Sequence, residues 1–229
     1  MGVDPELRTR PLVFVDDLDH PVLEPPDHHH LARARRVVDG AEITLADGRG
    51  GWRTARFGIR PTVVGPIGCS PSPSPPLLVA FSPVKGDKPE WFVQKLTELG
   101  IDDIVPVVTE RSVVRWDTTR SAKLTERLGV VAREACMQSR RLHLPTVWPP
   151  IELAELRRRH PLIVLADPAG PPLGPPHTAV VIGPEGGFAS AELAGSVTVT
   201  LPGNVLRAGT AAVTAGALMC AFRDGWPSS

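Results

Sequence analysis

Short apolar runs that alternate with helix-like segments constrain the fold of this chain more than any other feature. The runs are LLVAF (77–81), IVPVV (104–108), LIVLA (162–166), AVVIG (179–183) and VTVTL (197–201). The spacing of apolar residues predicts helices over 87–99, 121–142 and from Ala208 onward. Because alternating strands and helices are typical of parallel sheets, we predict an α/β domain in the C-terminal two-thirds of the chain.

The segment CSPSPSPP (69–76) indicates a domain boundary, because alternating serine and proline favour a stiff, extended linker. Before it, PLVFV, AEITLAD and WRTARFGI resemble short strands separated by turns, with one helix beginning near Asp27. We therefore predict a small β-barrel-like domain over 1–72 and a larger α/β domain over 73–229.

The charge and cysteine patterns exclude several classes of protein. Lysine plus arginine and aspartate plus glutamate number 25 each, so any nucleic-acid-binding surface must be local. The three cysteines form no CxxC pair, which predicts reduced thiols, no structural zinc and a cytoplasmic location. The histidine run 28–30 lacks partners at ligand spacing, so we predict no metal. The N-terminal residues lack a secretory apolar core, and no apolar run is long enough to span a membrane.

Three loops rich in glycine and proline follow the predicted strands, and ligands bind at such strand ends in parallel sheets. They are ADPAG after 166, GPEGG after 182 and LPGNVLRAGT after 200. The chain has neither the Gly-Lys-Ser/Thr of a Walker loop nor GxGxxG, and Glu185 would repel a phosphate. A neutral or cationic ligand such as S-adenosylmethionine fits better, and the alternative is a tight turn that binds nothing.

Four motifs and one longer N-terminal segment of the sequence resemble signatures of known enzymes. Two of the motifs, GPEGGF and LPGNVLRAGTA, resemble the paired C-terminal signatures of SPOUT-class RNA methyltransferases, a class that includes the RsmE-type family. EWFVQKLTELGIDDIVPVVTERSV and REACMQSRRLHLP resemble signatures of the RsmE branch, and HHLARARRVVDGAEITLADGRG is similar to its PUA-like domain. The resemblance covers nearly the whole chain.

The resemblance implies a function and an architecture. Members of this family methylate N3 of a uridine in 16S ribosomal RNA of the small ribosomal subunit, with S-adenosylmethionine as donor and without a metal. They are homodimers with a C-terminal trefoil knot and are not membrane proteins. The donor-binding residues that the resemblance implies are Leu165, Gly183, Pro184, Glu185, Gly186, Gly187, Leu201, Leu206 and Ala208.

The resemblance also implies that Arg207 lies in the active site near the target base, although a solvated arginine is the alternative. The RNA-binding residues predicted from the resemblance and the arginine clusters are His29, Arg33, Arg35, Arg36, Arg111, Arg140 and Arg141. For Arg111, an ion pair with Glu110 or another acid is an equal alternative.

The sequence departs from the family pattern in two places near Arg207. Pro202-Gly203-Asn204 replaces the usual Gly-Pro-Arg, and Ala208-Gly209-Thr210 replaces Thr-Glu-Thr. Two further functions therefore stay open. One is methylation of a ribose 2′-hydroxyl by an enzyme of the same class, and the other is a non-catalytic assembly factor that binds ribosomal RNA.

Overall fold

The chain divides into two compact units, and the first is discontinuous in sequence. The computed structural model describes Leu7 and residues 9–34, 36–83, 89–112 and 118–226. The first unit comprises Met1–Pro73 and Arg133–Leu144, and the second comprises Ser74–Ala132 and Pro145–Ser229. Arg35, one of the predicted RNA contacts, lies outside the described residues.

The described part of the first unit contains a five-stranded sheet in the order β1-β2-β3-β4, with β5 also paired to β3. The pair β1–β2 is parallel and the other pairs are antiparallel. The strands are β1 Leu12–Phe14, β2 Glu42–Ala46, β3 Gly51–Arg56, β4 Thr62–Val63 and β5 Gly68–Cys69. Helix α1 (Pro25–His29) continues into a π-helical turn, His30–Ala34. Closure of this sheet into a barrel stays a prediction.

A buried ion pair joins the two sequence segments of the first unit. Asp27 is only 8% exposed, and both of its carboxylate oxygens accept hydrogen bonds from Arg133, at 2.9 and 2.7 Å. Arg133 also donates to the carbonyl oxygen of Phe14 at 3.1 Å. Asp27 lies inside the first turn of α1, where Glu24 precedes the helix. It therefore serves as the partner of Arg133, and the helix begins two residues before it, close to the predicted start.

The second unit is built around a parallel sheet, as the alternating pattern predicted. Its described strands follow the order β12-β10-β11-β6-β7-β8, with β9 also paired to β7, and every pair is parallel. The strands are β6 Leu78–Phe81, β7 Asp103–Val108, β8 Thr146–Val147, β9 Ile151–Glu152, β10 Val164–Ala166, β11 Ala179–Ile182 and β12 Thr198–Val199.

The helices cover the sheet on both faces because apolar side chains alternate along each strand. The helices are α2 Pro89–Leu99, α3 Thr118–Ser139, α4 Leu153–Arg159, α5 Ser190–Leu193 and α6 Ala208–Arg223. Val79 and Phe81 face a core that includes residues of α2, α3 and α6, whereas Leu78 and Ala80 face a second core that includes residues of α4.

Helix α3 ends three residues before the predicted boundary at 142 because Arg140 adopts a left-handed backbone conformation with φ of 64°. Within the described ranges, no helix has the length and apolar character needed to cross a membrane.

Candidate functional site

Three neighbouring strands of the second unit end at the same edge of the sheet. Ala166, the last residue of β10, is in register with Ile182 of β11 and with Val199 of β12. The three loops singled out in the sequence therefore begin side by side. This arrangement is the one in which parallel sheets bind ligands.

A cavity of about 470 Å³ opens among these loops. This volume lies in the range of small-molecule sites. Its walls combine aliphatic side chains with backbone and a few polar groups. The lining residues are Ala166, Asp167, Pro168, Ile182, Gly183, Pro184, Glu185, Gly187, Thr200, Leu201, Gly203, Asn204, Val205, Leu206, Ala208 and Ala211.

The three glycines of the GPEGG loop occupy different structural environments. A Cβ atom on Gly183 would lie 3.0 Å from the ring of the buried Phe188, which is closer than Cβ atoms usually approach a neighbour, so a side chain there would press against that ring. Gly187 has φ of 67°, and its N–H donates to the carbonyl oxygen of Pro184 at 2.8 Å to close a turn. A Cβ on Gly186 would lie at an ordinary distance of 3.8 Å from Cδ of Arg111.

The chain after β7 holds the same loop from outside. Arg111 donates from Nη1 to the carbonyl oxygen of Gly186 at 2.6 Å. Glu192 accepts hydrogen bonds from the N–H of Glu110 at 2.9 Å and from the N–H of Ala189 at 2.8 Å. The guanidinium of Arg111 thus binds a loop carbonyl. This contact differs from both the RNA contact and the ion pair that the sequence suggested for Arg111.

The polar groups of the cavity favour a cation over an anion. Asp167 and Glu185 contribute carboxylates, and no lining residue in the described part of the chain is lysine or arginine. Oδ1 of Asp167 accepts a hydrogen bond from the N–H of Ala169 at 2.9 Å, which fixes the carboxylate at the end of β10. A phosphate would be repelled by the two acids, whereas a sulfonium or ammonium would be attracted.

Most of the predicted donor-binding residues meet in this cavity. Those that line it are Gly183, Pro184, Glu185, Gly187, Leu201, Leu206 and Ala208. Leu165 is fully buried in the core on the other face of the sheet, and Gly186 lies outside the wall with its carbonyl on Arg111.

Arg207 lies exposed between two wall residues, Leu206 and Ala208. It directly precedes α6, and its carbonyl oxygen accepts a hydrogen bond from the N–H of Ala211 at 2.8 Å. Its position next to the wall is compatible with contact to a second substrate at the cavity.

The described candidates for RNA binding, apart from Arg111, belong to the first unit. His29, Arg33 and Arg36 are exposed. Arg140 folds back onto the end of α3, where its guanidinium donates to the carbonyl oxygens of Met137 and Gln138. Arg140 therefore binds carbonyl groups at the C-terminal end of its own helix, where the helix dipole favours a cation, and Arg141 follows it in the chain.

Several wall residues were not among the sequence predictions, although signals for them exist. Asp167 directly follows the predicted strand 162–166 and begins one of the three loops. Ala211 lies three residues after Ala208, one helical turn along α6. Thr200 directly precedes Leu201, and Asn204 lies three residues after it in the third loop. In the described residues, no group of three or more His, Cys, Asp or Glu side chains could hold a metal ion.

Comparisons with known proteins agree with this geometry. Residues 70–220 match the model of an RNA methyltransferase domain, and residues 23–58 match that of an RNA methyltransferase PUA domain. The chain is 30% identical to ribosomal RNA small subunit methyltransferase E of Mycobacterium bovis, over 95% of this chain and 94% of that relative.

Two solved structures share the fold over most of their length. Ribosomal RNA small subunit methyltransferase E of Neisseria gonorrhoeae, solved with S-adenosylmethionine, has a TM-score of 0.77 and 29% identity, covering 93% of this chain and 97% of that one. A Legionella pneumophila protein solved with the same cofactor has a TM-score of 0.79 and 28% identity, with the same coverage. With its parallel sheet, its PUA domain and this extent of similarity, the chain belongs to the ribosomal RNA small subunit methyltransferase E family of RNA methyltransferases.

Proposed function

We propose that this protein transfers a methyl group from S-adenosylmethionine to N3 of a uridine in 16S ribosomal RNA within the small ribosomal subunit. The observation that carries the proposal is the cavity at the edge of β10, β11 and β12, where Asp167 and Glu185 face a space walled by aliphatic side chains. Because small ribosomal subunits are its substrate, the protein would act in the cytoplasm.

The residues of the cavity fit S-adenosylmethionine. This molecule has an apolar adenine face, an ammonium and a sulfonium, and it has no phosphate. Ile182, Leu201 and Leu206 offer apolar surface for the adenine, and the two carboxylates offer partners for the positive charges. Bound there, S-adenosylmethionine would supply an electrophilic methyl group. The cavity residues would bind it, orient it and keep water away, and positioning of this kind supplies much of the acceleration in transfer reactions.

Arg207 is the residue that we propose to act on the target base. The N3 proton of uracil is weakly acidic and lies between two carbonyl groups, so its loss leaves a negative charge on the ring. An arginine next to the wall residues Leu206 and Ala208 could stabilise that charge at a carbonyl oxygen. We assign no general base.

RNA binding is proposed for both parts of the chain. In this proposal residues 1–72 form a PUA-like RNA-binding domain with a barrel, and 73–229 form the methyltransferase domain with a C-terminal trefoil knot and a homodimer interface. The proposed contacts are His29, Arg33, Arg35, Arg36, Arg111, Arg140 and Arg141.

The test is methyl transfer from labelled S-adenosylmethionine to small subunits that lack the modification. Nuclease digestion and mass spectrometry should identify 3-methyluridine. A 2′-O-methylated nucleoside would instead show that the enzyme modifies ribose. Donor binding without transfer to any subunit would favour a non-catalytic assembly factor. The Arg207→Ala variant, compared with Arg207→Lys, reports whether transfer depends on this arginine.

A further inference from the structure

The carboxylate of Glu192 joins two loops that are far apart in sequence. Its Oε1 accepts a hydrogen bond from the N–H of Glu110, 82 residues away, at 2.9 Å. Its Oε2 accepts a hydrogen bond from the N–H of Ala189 at 2.8 Å. Both donors are backbone amides and each bonds to a different oxygen, so this geometry uses both acceptor atoms of the carboxylate.

Arg111 makes a second connection between the same loops. It follows Glu110 in the turn after β7, and its Nη1 donates to the carbonyl oxygen of Gly186 at 2.6 Å. The turn itself is anchored to the sheet. Ser112 Oγ accepts a hydrogen bond from the N–H of Thr109 at 2.8 Å and lies 2.7 Å from Oγ of Ser82, whose own N–H donates to Ile182 O at 2.9 Å.

These contacts act on a loop that would otherwise have a wide choice of conformations. Gly183, Gly186 and Gly187 have no side chains to limit the backbone, and Gly183 and Gly187 line the cavity. An unrestrained glycine loop must lose conformational entropy when it binds a ligand, which weakens binding. Hydrogen bonds that fix the loop beforehand remove part of that cost.

A simpler role for Glu192 is to cap the short helix α5, since Ala189 precedes that helix. This role requires only the hydrogen bond to Ala189. It does not require the second oxygen to reach Glu110, nor Arg111 to reach Gly186 from the same turn. The pair of connections is therefore more than a helix cap.

We propose that Glu192 and Arg111 are positioning residues that hold the GPEGG loop in the conformation that binds the methyl donor. The donor part of this inference rests on the function proposed above. Neither residue lines the cavity, so both act through the loop.

The key variant is Glu192→Gln, which keeps the size of the side chain. The glutamine oxygen can accept from one amide, but its NH₂ group would face the other N–H, so one of the two connections is lost. Arg111→Ala removes the second connection. Glu126→Gln is the matched control, because Glu126 is an exposed acid on α3 that takes no part in these connections.

Two measurements test the proposal, and the first needs no donor. Amide hydrogen exchange in 183–189 and at Glu110 should be faster in Glu192→Gln than in wild type, and unchanged in Glu126→Gln. By calorimetry, S-adenosylmethionine should bind Glu192→Gln and Arg111→Ala roughly 10-fold more weakly. In Glu192→Gln the KM for the donor should rise while kcat at saturating donor and the KM for RNA stay near wild type.

The outcomes separate this proposal from its alternatives. Unchanged exchange in Glu192→Gln would overturn it, as would faster exchange with wild-type donor affinity. A lower melting temperature with unchanged donor affinity would assign Glu192 to helix capping alone. If the wild-type chain bound no S-adenosylmethionine, the proposed function and the donor part of this inference would both fail. The exchange data would then still decide whether Glu192 holds the loop.

Discussion

The indole of Trp91 lies directly against Gly209. A Cβ atom at residue 209 would stand 3.1 Å from Cζ3 of the indole, which is closer than Cβ atoms usually approach a neighbour. Gly209 is the position where the family pattern usually has glutamate, so this contact gives the departure a structural reason. In this chain an aromatic ring from α2 occupies the space beside the first turn of α6.

The Trp91–Gly209 contact predicts that substitutions at the two positions are coupled. Gly209→Ala should stabilise a Trp91→Ala variant by roughly 0.5 kcal/mol, because alanine favours the helix and the ring no longer interferes. In the wild-type background the gain should vanish, since the indole must move. Urea unfolding of the four proteins gives the coupling free energy, and strict additivity would contradict the prediction.

The ion pair of Asp27 and Arg133 should be essential for the first unit. Arg133→Ala leaves the buried Asp27 carboxylate without its bidentate partner, so we expect the free energy of unfolding to fall by about 3 kcal/mol. Arg33→Ala, an exposed arginine in the same unit, should change it by less than about 0.5 kcal/mol. Equal unfolding midpoints for the two variants would show that the pair contributes little.

The carboxylate of Asp167 should favour the positively charged donor. Asp167→Asn keeps the shape of the side chain and removes the charge, so the affinity for S-adenosylmethionine should fall roughly 10-fold. In the same variant, the affinity for S-adenosylhomocysteine, which lacks the sulfonium charge, should fall less if Asp167 faces the sulfur of the donor. Titration calorimetry with both ligands measures the two losses, and Asp224→Asn provides an exposed acid as control. An unchanged affinity would exclude Asp167 from donor recognition.

Arg207 should affect turnover and not donor binding, because it is exposed and absent from the cavity wall. We expect Arg207→Ala to lower kcat on small subunits by about 100-fold, the scale of a lost electrostatic contact in a transition state. Arg207→Lys should retain part of the rate. Single-turnover methyl transfer together with donor calorimetry measures both effects. Normal turnover in Arg207→Ala would remove it from the chemistry.

Cys136 should make the protein less stable in alkaline solution. Burial raises the pKa of its thiol from 9.0 to about 11, and the guanidinium of Arg141 opposes this with a smaller effect. The folded state therefore holds the proton more tightly than the unfolded state, so the free energy of unfolding falls as pH rises from 9 towards 11. The fall should total about 2 kcal/mol.

The measurement is urea unfolding as a function of pH. The chain contains no tyrosine, so the phenol titrations that usually overlap this range are missing. Cys136→Ala should abolish this part of the pH dependence whatever its effect on stability at pH 7. A wild-type slope that persists in Cys136→Ala would assign the loss to other groups.

Local patterns in the sequence predicted the parts of the fold that depend on them. The apolar spacing of Phe92, Leu96 and Leu99 predicted α2, and the first two are almost fully buried. The apolar runs predicted the strands of the parallel sheet, and the direction of parallel strands placed the three loops together. The position of the cavity could be predicted from these two features together.

Features that depend on long-range contacts were not predictable in this way. Trp91 lies among apolar helical residues, a position typical of a core side chain, yet it is 42% exposed beside Gly209. Periodicity does not reveal which neighbour a side chain meets. The partner of Asp27 is 106 residues away, and the reach of Arg111 to Gly186 depends on how two loops meet. No local pattern encodes either distance.

The split of the first unit into Met1–Pro73 and Arg133–Leu144 has a consequence for biosynthesis. Cys136 and Leu142 from the later segment pack against Leu12, Phe14 and Ala46 from the earlier one. During translation, the apolar surface of the earlier segment stays uncovered until residue 144 has left the ribosomal exit tunnel. An expressed fragment that stops at Pro73 would expose the same surface permanently, so such a fragment should be prone to aggregate.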